Sequence, residues 1–417
     1  MSVTKPPKRI IEPPSEALPN LWQVRRALDR HSVSNGVTAW VMACTGPFVV
    51  LLSAALGGGM SREDIGSWVL AGYGLGGVFT LVFSLVYRIP MGMGWTIPGV
   101  VLLGGALGNL SFAECVGAFY VSGALITLLG VTGWVGRLAQ YLPLNIVMAM
   151  VAGVFLPFVL KIVPGFATDW VVSTLTVGAF VALSAMPRWA ARLPPILAAI
   201  ACGATYLALT GQLTVSSLPD EILVRPIVYT PEFTVRGMLE LVIPLTITVV
   251  GIHNLQGFAI CEANGYPPPR NALTTACGLG SFIYAVVGCV PTCVTGPANG
   301  ILNTSGEKER RYAGGVVFGS LMILFGVFAP FTTALALVLP LSFIGLVGGL
   351  AMFEVLRGAF LQAFGGRLSL GAMTTFVVTV ADQPIANIGA PFWAILFGLA
   401  VAYVFERTDL RQGRDLA

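Results

Sequence analysis

A histidine and two amide side chains stand in the middle of an apolar stretch, Gly251-Ile252-His253-Asn254-Leu255-Gln256-Gly257-Phe258. Polar groups in such surroundings are costly unless they bind something, which makes His253, Asn254 and Gln256 candidates for ligand handling. If the stretch is helical, His253 and Gln256 are three apart and share a face, with Gly257 leaving room beside them. His253 is one of only two histidines, the other being His31. Its ordinary pKa, about 6.5, suits it to carry a proton near neutral pH. A plain hydrogen bond to a neighbouring helix is the competing role.

Two further segments combine prolines, glycines and threonines in a way no regular helix tolerates. The first is Arg88-Ile-Pro-Met-Gly-Met-Gly-Trp95-Thr96-Ile97-Pro98-Gly99, and the second is Cys289-Val-Pro-Thr-Cys-Val-Thr295-Gly296-Pro297-Ala298-Asn299-Gly300. Each is expected to be a strand-like half joined to a half helix. Pro98 and Pro297 suit the first helical position, where an N–H is not needed, and Thr96 and Thr295 stand where the first turn can be capped. With about five extended residues before each, both half helices begin near the membrane midplane, and the two segments are expected to run in opposite directions. Their positive dipole ends and free N–H groups then face one cavity suited to an anion such as a carboxylate. Proline kinks packed against neighbours are the alternative.

The elements that would position these groups are membrane spans. Of 417 residues, 56% are hydrophobic and 10% charged, against about 25% charged in an ordinary soluble domain. So little charge cannot clothe a soluble surface of this size. Apolar runs of roughly 18 to 24 residues match the length a helix needs to cross a bilayer. They are expected near 36–57, 66–87, 90–108, 113–133, 143–162, 170–187 and 193–211, then near 237–260, 272–289, 290–305, 312–330, 341–357, 368–382 and 388–405. A polar loop, 212–236, separates the two sets of seven.

The distribution of Lys and Arg tests that count, because a wrong number of crossings would scramble it. With the N-terminus inside, 19 of the 23 basic residues fall in cytoplasmic segments, and only Arg62, Lys161, Arg225 and Arg236 do not. Both termini are therefore expected in the cytoplasm. Residues 1–34 read as a disordered cytoplasmic tail with a short amphipathic piece, Leu21, Trp22, Val24 and Leu28, on the membrane surface. No signal peptide is expected, since the first apolar run begins only near Gly36. Residues 406–417 form the second tail.

The two halves echo each other. Leu142-Pro143-Leu144 recurs as Leu339-Pro340-Leu341, and Thr96-Ile97-Pro98 as Thr295-Gly296-Pro297, at offsets of 197 and 199 residues. An odd number of spans per half then implies a 7+7 inverted repeat in an all-α polytopic membrane protein, the pattern of many secondary transporters. The seven cysteines have neither metal nor redox spacing and read as small buried hydrophobes. Glu114, Glu240, Glu262, Glu354 and Asp382 lie near span ends, and Glu354 is expected to pair with Arg357. No zinc spacing, Walker-type loop or nucleophile set is present, so neither an enzyme nor an ATP-driven pump is expected.

At Tyr87–Gly105 (YRIPMGMGWTIPGVVLLGG), Tyr229–Phe233 (YTPEF), Asn254–Tyr266 (NLQGFAICEANGY) and Val290–Asn303 the chain resembles the benzoate/proton symporter (BenE-type) family. The hydrophobic layout matches over about residues 35–405. More distantly it is similar to the uracil/xanthine permeases and the sulfate permeases. The resemblance implies a core of spans 1–4 and 8–11, a gate of spans 5–7 and 12–14, and proton-coupled uptake of an aromatic carboxylate through the inner (plasma) membrane. It also leaves room for a homodimer, and implies neither a cofactor nor a nucleic-acid partner. Two departures stand out. Uracil-type permeases place acidic side chains where Ile252 or His253 and Pro297 stand here, and an uncharged polar residue is usual in the benzoate family at His253. A nucleobase or inorganic-anion carrier, or from another class a non-transporting receptor or scaffold, are the remaining readings.

Overall fold

The computed structural model describes residues 10–14, 17–135, 143–190, 194–213, 221–304, 306–383, 385 and 390–410. Several expectations lie outside these residues: Leu142, Lys5, Lys8, Arg9, Arg137, Arg192, Arg411 and Arg414, and parts of the 212–236 loop and the 406–417 tail.

The first half comprises α1 (Leu21–Ala27), α2 (Arg30–Gly57), α3 (Arg62–Tyr87), β1 (Met93–Trp95), α4 (Ile97–Ala106), α5 (Phe112–Thr132), α6 (Leu144–Thr168), α7 (Trp170–Ser184) and α8 (Pro195–Leu209). The second comprises α9 (Val235–Ala263), α10 (Arg270–Val286), β2 (Thr292–Val294), α11 (Gly296–Leu302), α12 (Tyr312–Val327), α13 (Ala329–Leu337), α14 (Leu341–Phe364), α15 (Ser369–Ala381) and α16 (Ala390–Phe405). Among the described residues, α2, α3, α5, α6, α9 and α14 are long and apolar enough to cross a membrane. Shorter apolar helices are α4, α7, α8, α15 and α16.

Small residues decide how closely these helices pack. A Cβ on Gly278 of α10 would meet Thr127 Oγ1 of α5 at 2.2 Å, and one on Gly77 of α3 would meet the Gly319 carbonyl of α12 at 2.4 Å. The backbones are thus nearly in contact, as in helix pairs held by packing rather than by water exclusion. In this way α5 packs on α10, and α12 on α3 and α2. A second group joins α6 to α14 and α15, α15 to α16, and α7 to α8, and the groups meet chiefly where α2 lies on α14.

Three expectations change. Where one span was expected at 312–330, the chain bends by 75° between α12 and α13. The bend falls at Phe328, just before Pro330, which sits in the first turn of α13. The N-terminal region is not wholly disordered: Glu12 accepts the Asn271 and Ala272 amides at the start of α10 (3.1 and 2.9 Å), and Tyr87 donates to the Glu12 carbonyl. Finally, α2 starts at Arg30, six residues early, because Asp29 and Ser32 form a reciprocal cap. In α1, Leu21 and Trp22 are exposed while Ala27 is buried. The Glu354–Arg357 pair forms on the surface at 2.7 Å, and five of the seven cysteines are buried, all of them free.

Candidate functional site

The two irregular segments meet. β1 and β2 pair antiparallel, Met93 opposite Val294 and Trp95 opposite Thr292, so the half helices that follow, α4 and α11, leave the pair in opposite directions. Two short strands cannot satisfy their own backbones, and side chains from flanking helices complete them. Thr80 Oγ1 accepts the Met93 amide (2.8 Å), Asn254 Oδ1 accepts the Val294 amide (2.9 Å), and Thr292 Oγ1 donates to the Gly94 carbonyl (2.6 Å). Asn299 Oδ1 accepts the Gly92 amide at 2.5 Å. Asn254 and Asn299 thereby hold the unwound backbone, and both are fully buried.

The half-helix starts differ from each other. Thr96 caps α4, its Oγ1 accepting from the Gly99 amide at 3.3 Å. It also shares a hydrogen bond with Thr248 Oγ1. His253 Nε2 accepts the Ile97 amide at 3.2 Å. That nitrogen therefore carries no proton, and the neutral ring has its hydrogen on Nδ1, which is buried with no partner among the described residues. Among the described residues no side chain caps α11; Thr295 Oγ1 donates instead to the Gly92 carbonyl (3.0 Å). Pro98 and Pro297 occupy the second helical position, not the first, since α4 starts at Ile97 and α11 at Gly296. The N–H there lacks an intrahelical partner too, so the physical reason survives the shift.

His253 and Gln256 do not share one environment. The stretch Ile247–Asn254 is a π-helix, whose wider turn alters the face that three-residue spacing predicts. His253 is buried on the α4 start. Gln256 is exposed and lies across the α11 start, where a Cβ on Gly296 would come within 2.3 Å of its Oε1. One helix thus sends a separate side chain to each half helix.

Between the half helices lies a cavity with about 420 Å³ of empty space. Gly94, Trp95, Ile97, Thr295, Pro297 and Ala298 form its floor, and Met42, Ala43, Pro47, Tyr73, Phe318 and Met322 its walls. None of these residues is charged. Tyr73 and Trp95 rings stand 6.1 Å apart, and Gly72 makes space for the indole, since a Cβ there would lie 2.3 Å from Trp95 Cδ1. Of the expected site residues, Trp95, Thr295, Pro297 and Ala298 reach this cavity. Thr96, Pro98, Gly99, His253, Asn254, Gln256, Gly296 and Asn299 stand behind it or beside it. The wall residues of α2, α3 and α12 were not anticipated; Gly72-Tyr73-Gly74, an aromatic between glycines inside a span, is the one sequence signal among them.

Half helices meeting across an apolar cavity inside a bundle of apolar helices are the build of a membrane transport protein. The comparisons agree. A family described as "Benzoate membrane transport protein" (BenE) matches residues 27–404, and the chain belongs to that family, whose members are membrane transporters rather than enzymes. It is 28% identical over 375 residues to the inner membrane protein YdcO of Escherichia coli (strain K12), covering 88% of this chain and 94% of that protein. It is 26% identical over 378 residues to a benzoate membrane transport protein of Acinetobacter baylyi (strain ATCC 33305 / BD413 / ADP1), covering 88% and 93%. In fold it is similar to the transmembrane domain of a cyanobacterial bicarbonate transporter, BicA (TM-score 0.57, 14% identity, 92% of this chain and 98% of that one). It is also similar to the murine anion transporter Slc26a9 in its inward-facing state (TM-score 0.60, 12% identity, 93% and 71%).

Proposed function

We propose that this protein takes up a small aromatic carboxylate, such as benzoate, by proton symport across the inner (plasma) membrane. The observation that carries the reading is the cavity itself: aromatic and thioether walls suit a ring, and two helix N-termini at its floor suit a carboxylate. With no cation on the lining, dipoles and amides must balance the charge. A weakly hydrated organic anion meets that condition better than a strongly hydrated inorganic one.

The transport unit is a 7+7 inverted repeat of fourteen spans with both termini inside. α2–α5 and α9–α12, with the strands, make the core, and α6–α8 and α14–α16 the gate. The antiparallel β1–β2 pair and the equivalent places of Pro143 before α6 and Pro340 before α14 support this reading. Cysteine-accessibility labelling should reach positions around Glu221 from outside and around Lys308 from inside; the reverse pattern would reject the topology.

His253 is the proton carrier in this proposal. A proton added at Nε2 removes the acceptor of the Ile97 amide and turns that nitrogen into a donor. Both N–H groups can then serve an incoming carboxylate, while without an anion a cation at a helix N-terminus is disfavoured. Proton and anion therefore bind cooperatively, and by linkage each raises the affinity for the other by the same factor. Proteoliposomes offered labelled benzoate, uracil and bicarbonate, with and without an inward proton gradient, test the whole. Gradient-driven accumulation of benzoate is expected, and accumulation of either other solute in its place would overturn the assignment.

A further inference from the structure

A second cavity, unlike the first in bearing a cation, lies away from the half helices, where α2 meets α6 and α14. It is open to one side, with about 790 Å³ of empty space counting the mouth, and Lys161, Ser53, Thr168 and Ser342 supply its polar lining. Lys161 is half-buried, and its Nζ donates to Ser53 Oγ at 2.9 Å while resting 4.7 Å over the Phe158 ring. Among the described residues no carboxylate pairs with it. Lys161 stands near the outer end of the expected 143–162 span, where an ammonium group is kept at the water interface and within reach of a soluble guest. Two of its three N–H donors are left for a guest. The first turn of α14, which has no side-chain cap, borders the same space and adds partial positive charge.

We propose that this cavity is a second anion site, in which Lys161 and the Ser53 hydroxyl hold a small soluble carboxylate. Lys161 is on α6 and Ser53 on α2, so an anion held by both bridges the two packed groups of helices. On the topology proposed above it opens outward, and there it would gather substrate before transfer to the central cavity. That use rests on the anion-transport reading; the binding itself does not.

The chain has four lysines, Lys5, Lys8, Lys161 and Lys308, so acylation of each is easily followed by mass spectrometry. Purified protein should be treated with a water-soluble acetylating ester in the presence of increasing benzoate, of chloride, or of phosphatidylglycerol. Benzoate is expected to slow Lys161 modification severalfold and saturably, leaving Lys308 unchanged. The same protection is expected in Asn299→Asp, in which the central site is expected to bind benzoate on the order of 100-fold more weakly. An unaltered Lys161 rate overturns the proposal, as does protection lost in Asn299→Asp, which would mean closure driven from the central site. Protection by phosphatidylglycerol but not by benzoate also overturns it, the lysine then serving a lipid headgroup. If benzoate protects Lys161 but is not transported, the proposed function fails and this site stands.

Discussion

The two half helices are alike in sequence and unlike in use. In α4 the starting amides are taken, Ile97 by His253 and Gly99 by Thr96. In α11 the corresponding threonine turns its hydroxyl back to Gly92, no side chain caps the turn, and a glutamine lies across Gly296. A repeated motif has thus become one satisfied end and one open end. In the proposed function the open end supplies the standing attraction for an anion, and the satisfied end, whose cap is a titratable ring, supplies the switch.

The largest expected effect comes from placing a charge at the open end. Asn299→Asp keeps an acceptor for the Gly92 amide but sets a carboxylate in the second turn of α11. At roughly 6 Å and an effective dielectric near 20, like-charge repulsion is about 3 kcal/mol, or on the order of 100-fold in affinity. Benzoate binding to the purified variant, measured calorimetrically, should weaken by that order while the protein stays folded. Unchanged affinity would remove α11 from the site. Gly99 is no substitute for this test, because a Cβ there would lie 2.3 Å from Thr96 Cγ2 and disturb the cap itself.

The next effect concerns the switch. His253→Gln retains a side chain able to accept from the Ile97 amide but does not titrate. Exchange of labelled for unlabelled benzoate should persist, and proton-driven accumulation should be lost. On the proposed coupling the protonated form binds the anion better, so wild-type affinity should improve as pH falls through the His253 titration, and the variant should show no such slope. His253→Leu, which leaves the Ile97 amide unsatisfied, should additionally lose about 1–3 kcal/mol of stability. Wild-type pH dependence in His253→Gln would leave the histidine a cap and nothing more.

How far the sequence foretold this can be judged residue by residue. Breaks at Pro90–Pro98 and Pro291–Pro297 were legible because proline and glycine act locally, and the Thr96 cap because capping needs three residues and no tertiary partner. The strand register, His253 on Ile97 and Asn254 on Val294 were not legible: each joins residues far apart in the chain through backbone groups that every residue possesses. The cavity walls were hidden for a different reason. In a span where nearly everything is apolar, Met42, Phe318 and Met322 carry no contrast with the residues that face lipid. The π-helical turn at Ile247–Asn254 also has no compositional mark, and it separated His253 from Gln256 where α-helical spacing put them together.

The smallest effect, and the most direct reading of the asymmetry, is a pair of isosteric substitutions. Thr96→Val removes the acceptor of the Gly99 amide and the bond to Thr248, both in fully buried surroundings. Loss of such a cap costs about 1 kcal/mol, within a range of roughly 0.5–2. Thr295→Val removes a donor from a carbonyl that keeps a second partner, the Thr295 amide at 2.9 Å. Nothing is left unsatisfied there, so the cost should stay near the low end of a net hydrogen bond, about 0.5 kcal/mol. Thermal unfolding of the two variants in the same detergent should therefore rank Thr96→Val below Thr295→Val. Adding benzoate should leave that order intact, because neither hydroxyl is spare for a guest. Equal losses would mean that the two ends are equivalent in the working protein, and that the open character of α11 belongs to one conformation only.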